Sequence, residues 1–176
     1  MIRMKALAEH YLTNTSGVEK IDLLEEDTGG FFEYAGKNER YECLLTWSYF
    51  VEKKDEDNVP ASISIWASPP SISVPQEHRS TILEFLNSAN QTIKMSSFTL
   101  HKTGSVTCQS AIYADTNDIL NEAVFRTIFT ETLVYLEICS PLIQAMINSR
   151  LTLQDAEVVW SKIPKLFSIP FFYKSY

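Results

Sequence analysis

The feature that most constrains the fold is an alternating pattern at residues 41–52. Every second residue in this run is apolar or aromatic, namely Tyr41, Cys43, Leu45, Trp47, Tyr49 and Val51. Successive strand residues point to opposite faces of a sheet, so a period of two predicts a long strand. A charged, turn-prone segment at 53–58 follows, and residues 61–68 alternate again before Pro69 and Pro70. The pattern therefore predicts a β-hairpin with a projecting tip.

Helices are predicted on both sides of this hairpin. Residues 2–12 have apolar side chains at helical spacing, whereas residues 18–26 are compatible with a helix or a strand. Pro75 suits the first turn of a helix, and its amphipathic pattern continues to Ile93. Two alternating runs at 98–100 and 106–113 then flank Gly104, which predicts a second hairpin.

The last part of the sequence has helical patterns and proline breaks. Asn117 or Asp118 is the expected cap of a long apolar helix, which Pro141 should kink or restart. Thr152 is the expected cap of a final short helix that ends at Trp160. The resulting fold class is α+β, with two layers: a twisted antiparallel sheet packed against helices.

The size and charge of the chain limit what it can be. Its 176 residues, 45% of them apolar, suit a single domain with a substantial core. A formal net charge of -7 argues against a nucleic-acid partner. No apolar run suits a signal peptide or a membrane span, which predicts a cytoplasmic protein with no membrane partner. The separated Cys43, Cys108 and Cys139 are expected to be reduced core thiols.

The sequence contains no recognisable catalytic, cofactor-binding or metal-binding motif. His10, His78 and His101 fall on three different predicted elements. The acidic residues at 25–27 and 55–57 lack the ligand spacing of a calcium loop, which favours solvated turns. An enzyme would need an unfamiliar polar pocket that joins His78 or His101 to the region of Asp115 and Asp118. No cofactor and no metal are therefore expected.

Two regions carry more apolar surface than a sheet covered on one side requires. The first is the long strand, where Tyr41, Trp47 and Tyr49 lie on one face and Leu44 and Phe50 on the other, so that both faces are apolar. The second is the aromatic tail, residues 164–176, which includes Phe171, Phe172 and Tyr173. Either helices cover both faces of the sheet or one face binds a partner. The tail should dock on its own domain or on a second copy.

The order of elements in residues 74–147 resembles the YbjN family of bacterial sensory-transduction regulators. The matching features are a Pro-led helix that contains Asn87 and Asn90, a strand, a turn at Gly104, a second strand, and a helix that ends in Ser140-Pro141. The resemblance implies a single YbjN-like domain, with a family core at about 18–147 and a C-terminal helix and tail at 148–176. It also implies a fold like that of type III secretion chaperones, which often dimerise, and it assigns no catalytic residue.

These observations lead to one functional expectation and two alternatives. The expectation is a non-enzymatic regulatory or chaperone-like protein that binds another polypeptide, in bacterial signalling or stress response. The first alternative is a structural homodimer without a separate ligand. The second is an enzyme with an unrecognised site.

Overall fold

A computed structural model describes residues 4–25, 28–49, 60–113 and 122–163, without the side chains of residues 49, 60, 61, 122 and 124. The described residues form four α-helices and six β-strands. The helices are α1 (Met4–Thr13), α2 (Arg79–Asn90), α3 (Glu122–Ile147) and α4 (Leu153–Trp160). The strands are β1 (Val18–Leu23), β2 (Gly29–Ala35), β3 (Arg40–Tyr49), β4 (Pro60–Ser68), β5 (Ser96–Leu100) and β6 (Val106–Tyr113).

All six strands belong to one antiparallel sheet in the order β1-β2-β3-β4-β6-β5. The predicted hairpins are present as the pairs β3–β4 and β5–β6. In the chain, α2 lies between β4 and β5. In the sheet, the second hairpin adds with β6 beside β4 and with β5 at the edge. The structure therefore confirms the α+β class and the antiparallel sheet packed against helices.

One face of this sheet, here called the core face, is covered by the helices. The alternating positions of β3 and β4 that point to it are buried, namely Tyr41, Cys43, Leu45, Trp47, Ile63, Ile65 and Ala67. From α3, the ring of Phe129 lies 5.7 Å from that of Phe32 on β2. From α4, the ring of Trp160 lies 5.7 Å from that of Phe98 on β5. The helices thus pack on the same side of the sheet.

The structure decides one local alternative and differs from two local predictions. The ambiguous segment at 18–26 contains strand β1. The helix predicted from Pro75 begins later, because residues Gln76–His78 form a 3-10 turn before α2. Ile93 lies beyond the end of α2 at Asn90, although it is still buried.

Pro141 does not restart α3, which leaves a kink as the remaining one of the two outcomes predicted for it. The helix is continuous from Glu122 to Ile147 with the proline inside it. Pro in a helix interior costs about 3 kcal/mol because a backbone hydrogen bond is lost. Leu136, Ile143 and Met146 are buried on both sides of the proline, and their packing offsets that cost.

Other local predictions are confirmed. Thr152 caps α4: its side chain accepts a hydrogen bond from the Asp155 N–H, in a capping box. In addition, Asn90 at the end of α2 bonds to the backbone of strand β5, donating to the Phe98 carbonyl and accepting from the Phe98 N–H. Gly104 has a φ of +95° in the β5–β6 turn, a left-handed conformation that favours glycine.

The three cysteines are buried and unpaired, as predicted. Burial raises the pKa of the Cys43, Cys108 and Cys139 thiols well above its ordinary value. A thiol that stays protonated is a poor nucleophile and a poor metal ligand. The cysteines therefore act as core residues.

Trp160 holds the end of the helix layer to the sheet. Its ring packs edge-on against Phe85 of α2 and Phe98 of β5, and it also contacts Tyr135 of α3. Its indole N–H donates to the Thr92 hydroxyl at 2.8 Å. One side chain therefore joins α2, α3, α4 and β5.

We predict that Trp160→Ala lowers the free energy of unfolding by about 3–5 kcal/mol, because a large buried ring is replaced by a cavity. Urea unfolding followed by circular dichroism measures the change. Val159→Ala is the matched control, since Val159 is 41% exposed on the same helix and its truncation should cost less than about 0.5 kcal/mol. Equal losses from the two substitutions would contradict the anchoring role of Trp160.

Candidate functional site

The candidate site is the other face of the sheet, here called the outer face. Residues that point to it alternate with the buried ones, and no described helix packs on it. The registers of the strand pairs place Phe31, Leu44, Trp66, Gln109 and Ser97 side by side on β2, β3, β4, β6 and β5. This line crosses five neighbouring strands from β2 to the β5 edge.

Three apolar side chains in this line form a continuous apolar row: Phe31, Leu44 and Trp66. Phe31 is 52% exposed, and the other two are partly exposed. Leu44 has Phe31 as its cross-strand neighbour on one side and Trp66 on the other, so the three side chains are adjacent. The aromatic Tyr113, at the end of β6, is 80% exposed. The outer face therefore combines a defined apolar row with access to solvent.

Hydroxyl groups surround the apolar row on both sides. Thr46 and Ser64 are joined by a hydrogen bond of 2.7 Å, and Ser48 and Ser62 by one of 2.8 Å. On the other side of the row, the Ser68 hydroxyl lies 3.0 Å from that of Thr107. A hydroxyl both donates and accepts, so the Thr46–Ser64 and Ser48–Ser62 pairs have remaining capacity for a polar ligand such as a peptide backbone.

One corner of the outer face is charged. Arg40 contacts the carboxylates of Glu19 at 2.9 Å and Glu33 at 3.4 Å, and the Lys20 ammonium lies 2.6 Å from Glu33. The hydrogen bond from Lys20 is the main reason that the pKa of Glu33 is lowered. Glu42 is the neighbour of Glu33 on β3 and is exposed. In the part of the chain that the structure describes, it forms no salt bridge.

The structure corrects two of the predicted partner-surface residues. Tyr41 and Trp47 are 0% and 4% exposed, because both point to the core face under the helices. They are therefore unavailable to a partner. The side chain of Tyr49 and the whole of Phe50, Phe171, Phe172 and Tyr173 lie outside the described residues.

Of the residues that form the apolar row, Leu44 was recognised from the sequence as an apolar residue on the second face of the long strand, whereas Phe31 and Trp66 were missed. Leu44 belongs to the second face of the alternating run, where its apolar character departs from the polar Glu42, Thr46 and Ser48. Trp66 departs in the same way from the serines of its strand. An apolar residue among the polar positions of a half-buried strand was the available signal.

The histidines do not come together in a catalytic arrangement. His10 lines a polar pocket of about 300 Å³ with Asn14 and Arg126, between α1 and α3. The His101 ring nitrogen lies 2.8 Å from the Thr107 hydroxyl. Asp115 and Asp118, which the enzyme alternative needs, lie outside the described residues. In the described ranges, no three His, Cys, Asp or Glu side chains are grouped as a metal ion would require.

A buried polar network lies beneath α3. The Ser110 hydroxyl lies 2.6 Å from those of Ser96 and Thr132, and Thr132 also donates to the Ile128 carbonyl. Ser96 donates to the Glu131 carboxyl at 3.4 Å. Burial raises the pKa of Glu131, and the bond from Ser96 opposes that shift. Because Ser110 and Thr132 are fully buried, the network is closed to a substrate and links α3 to the sheet.

The comparisons with known proteins give no further guidance on the site. No protein-family model matches this chain, and no curated protein matches it. The resemblance to the YbjN family stays a prediction. Among the described helices, none is both long and apolar enough to cross a membrane.

We predict that Glu131→Gln raises the free energy of unfolding at pH 7. Above the folded-state pKa, the wild-type protein holds a partly buried charge that glutamine lacks. Below about 4.5, the ordinary pKa of the group, Glu131 is neutral in the folded and unfolded states, so the gain should disappear. Urea unfolding of both proteins at several pH values between 7 and 4 measures the difference in their free energies of unfolding.

Glu84→Gln is the control for this prediction, since Glu84 is exposed on α2 and its replacement should change stability by less than about 0.5 kcal/mol. A loss of stability in Glu131→Gln at pH 7, or a gain that is independent of pH, would contradict the prediction.

Proposed function

We propose that this protein is a non-enzymatic regulatory or chaperone-like protein of the cytoplasm that binds an extended polypeptide on the outer face of its sheet. The observation that carries the proposal is the apolar row of the exposed Phe31 and the partly exposed Leu44 and Trp66, on a face that no described helix covers. Clustered exposed apolar side chains with a polar surround are typical of interaction sites. The resemblance to the YbjN family supports a regulatory role in bacterial signalling or stress response.

The chemistry of the outer face favours a polypeptide as the ligand. Aromatic and aliphatic side chains of a partner would pack on the apolar row and remove it from water. The flanking hydroxyls, such as those of Thr46 and Ser64, would exchange hydrogen bonds with backbone amides. The apolar row crosses three neighbouring strands, which suits an extended chain better than a small metabolite.

A homodimer is the second candidate, and the same apolar row supports it. Two copies could pack outer face on outer face, as sheets do in β-sandwiches. This arrangement would bury Phe31 and Trp66 of both copies. In the homodimer, the outer face of each chain is covered by a second copy of the same chain. Light scattering measures the molar mass of the particle and so distinguishes the two candidates.

Peptide selection on the full chain tests the proposed function. Random 15-residue peptides are displayed and selected on the immobilised protein, and the affinity of the enriched peptides is measured by fluorescence anisotropy. We expect Trp66→Ala and Phe31→Asp to weaken binding at least tenfold, since central aromatic anchors typically contribute about 2 kcal/mol or more.

Leu83→Asp is the matched control, because Leu83 is 47% exposed on α2, in the helix layer. The affinity of the Leu83→Asp variant for the peptides should stay within about twofold of that of the wild-type protein. Failure to enrich any peptide, or equal binding to the Trp66→Ala variant, would refute peptide binding at this face. A dimer by light scattering that Phe31→Asp dissociates would favour the homodimer instead.

A further inference from the structure

A row of three glutamates, here called the acidic row, lies beside the apolar row on the outer face. The strand registers pair Glu19 with Glu33 and Glu33 with Glu42, so these side chains are neighbours on β1, β2 and β3. On β3, Glu42 lies two residues before Leu44. On β2, Glu33 lies two residues after Phe31. Two residues of a strand span about 7 Å, which is therefore the distance between the two rows.

Among the described residues, no cation is paired with Glu42 of the acidic row. Lys20 and Arg40 form the salt bridges of this corner, and their partners are Glu33 and Glu19. Glu42 is exposed and lies directly opposite Glu33, and like charges at such positions destabilise a sheet. A cation supplied by a bound molecule would relieve this repulsion.

A fourth carboxylate lies at the end of the apolar row. Asp22 on β1 is the cross-strand neighbour of Phe31 and is exposed, and it forms no salt bridge with any residue that the structure describes. On the opposite side of the apolar row, the corresponding positions on β3 and β4 are neutral, namely Thr46 and Ser64. The negative charge is therefore concentrated along one side and at one end of the apolar row.

These carboxylates suit the basic side chains of a polypeptide. In the described part of the chain, no three His, Cys, Asp or Glu side chains are grouped as a metal ion would require. The whole chain has a formal net charge of -7, which favours the approach of a cationic segment. A second copy of the chain carries the same net charge and would bring its own acidic row to the contact, so it is less suited to this face.

The β5 edge of the sheet is occupied at its centre, which directs a partner to the outer face. An added strand would bind the outward N–H and carbonyl groups of an edge strand. At Phe98, in the middle of β5, both of these groups already bond to the side chain of Asn90. A partner that packs on the outer face needs neither group.

We propose that the polypeptide bound on the outer face is cationic, with a lysine or arginine two residues from an apolar side chain. In an extended chain, side chains two residues apart point the same way and lie about 7 Å apart, which equals the distance between the two rows. The apolar side chain then packs on the apolar row while the basic one lies above Glu42. The inference rests on the proposed function, because it specifies the chemistry of the partner at the same face.

Three fluorescein-labelled peptides test this inference on the full chain. Each contains four repeats, of Trp-Ser-Lys-Ser, Trp-Ser-Gln-Ser or Trp-Ser-Glu-Ser, so only the charge two residues from the aromatic anchor differs. Fluorescence anisotropy measures the affinity of each peptide. The measurement is made at about 0.05 M and at about 0.5 M salt, because salt screens exposed charges.

We expect the lysine peptide to bind about tenfold more tightly than the glutamate peptide at the lower salt concentration, with the glutamine peptide between them. The difference should fall to about twofold at the higher concentration. Glu42→Lys should weaken binding of the lysine peptide about tenfold, because an attraction is replaced by a repulsion. Glu84→Lys is the matched control, since it makes the same charge change on the exposed side of α2 and should alter the affinity by less than about twofold.

A stability measurement separates the binding role of Glu42 from a structural one. Glu42→Lys places opposite charges at positions 42 and 33, so the urea midpoint of this variant should equal or exceed that of the wild-type protein. A lower midpoint would overturn the inference that Glu42 serves binding rather than folding.

The remaining outcomes also decide the inference. Equal affinities for the three peptides would overturn it, as would equal effects of Glu42→Lys and Glu84→Lys. Absence of binding by the lysine peptide would overturn it too, and in a protein that is dimeric by light scattering it would assign the face to a second copy. If randomly selected peptides require Trp66 but show no preference for basic residues, the proposed function stands and only this inference fails.

Discussion

The packing of α3 against one face of the sheet is the contact on which the rest of the structure depends. Its buried residues, namely Phe125, Ile128, Phe129, Leu133, Leu136, Cys139 and Ile143, form a continuous apolar stripe above β4, β5 and β6. Phe129 also meets Tyr11 of α1, Phe32 and Tyr34, so α3 holds the first helix and the first strands as well. The buried polar network of Ser96, Ser110 and Thr132 fixes its position over the second hairpin.

In this arrangement the helices pack on one face of the sheet, and no described helix covers the other. Tyr41 illustrates the separation, because burial raises the pKa of its hydroxyl and removes it from any partner. Leu44, three residues later on the same strand, points to the outer face between Phe31 and Trp66. The proposed binding of a polypeptide therefore needs no change in the core.

Local patterns in the sequence were sufficient for most of the fold. The alternation at 41–52 and 61–68 predicted β3 and β4, and the features at Gly104 and Thr152 predicted a turn and a helix cap. These predictions succeeded because strand alternation, a positive φ angle and helix capping depend on residues that are close in the sequence. The restart at Pro141 failed because burial of Ile143 and Met146, a tertiary effect, outweighs the local cost of the proline.

The candidate site shows where the sequence ceases to be informative. The sequence identified the strand with an excess of apolar side chains, but it did not indicate which face of the sheet the helices would cover. Tyr41 and Trp47 were therefore named as partner residues, and Phe31, Leu44 and Trp66 were not. By itself the sequence determined the two hairpins, the helical segments and the alternation of the hairpin strands, since these follow from local periodicity. Only the tertiary structure decided which face is open and which side chains become neighbours there, because both depend on strand order and on contacts between distant residues.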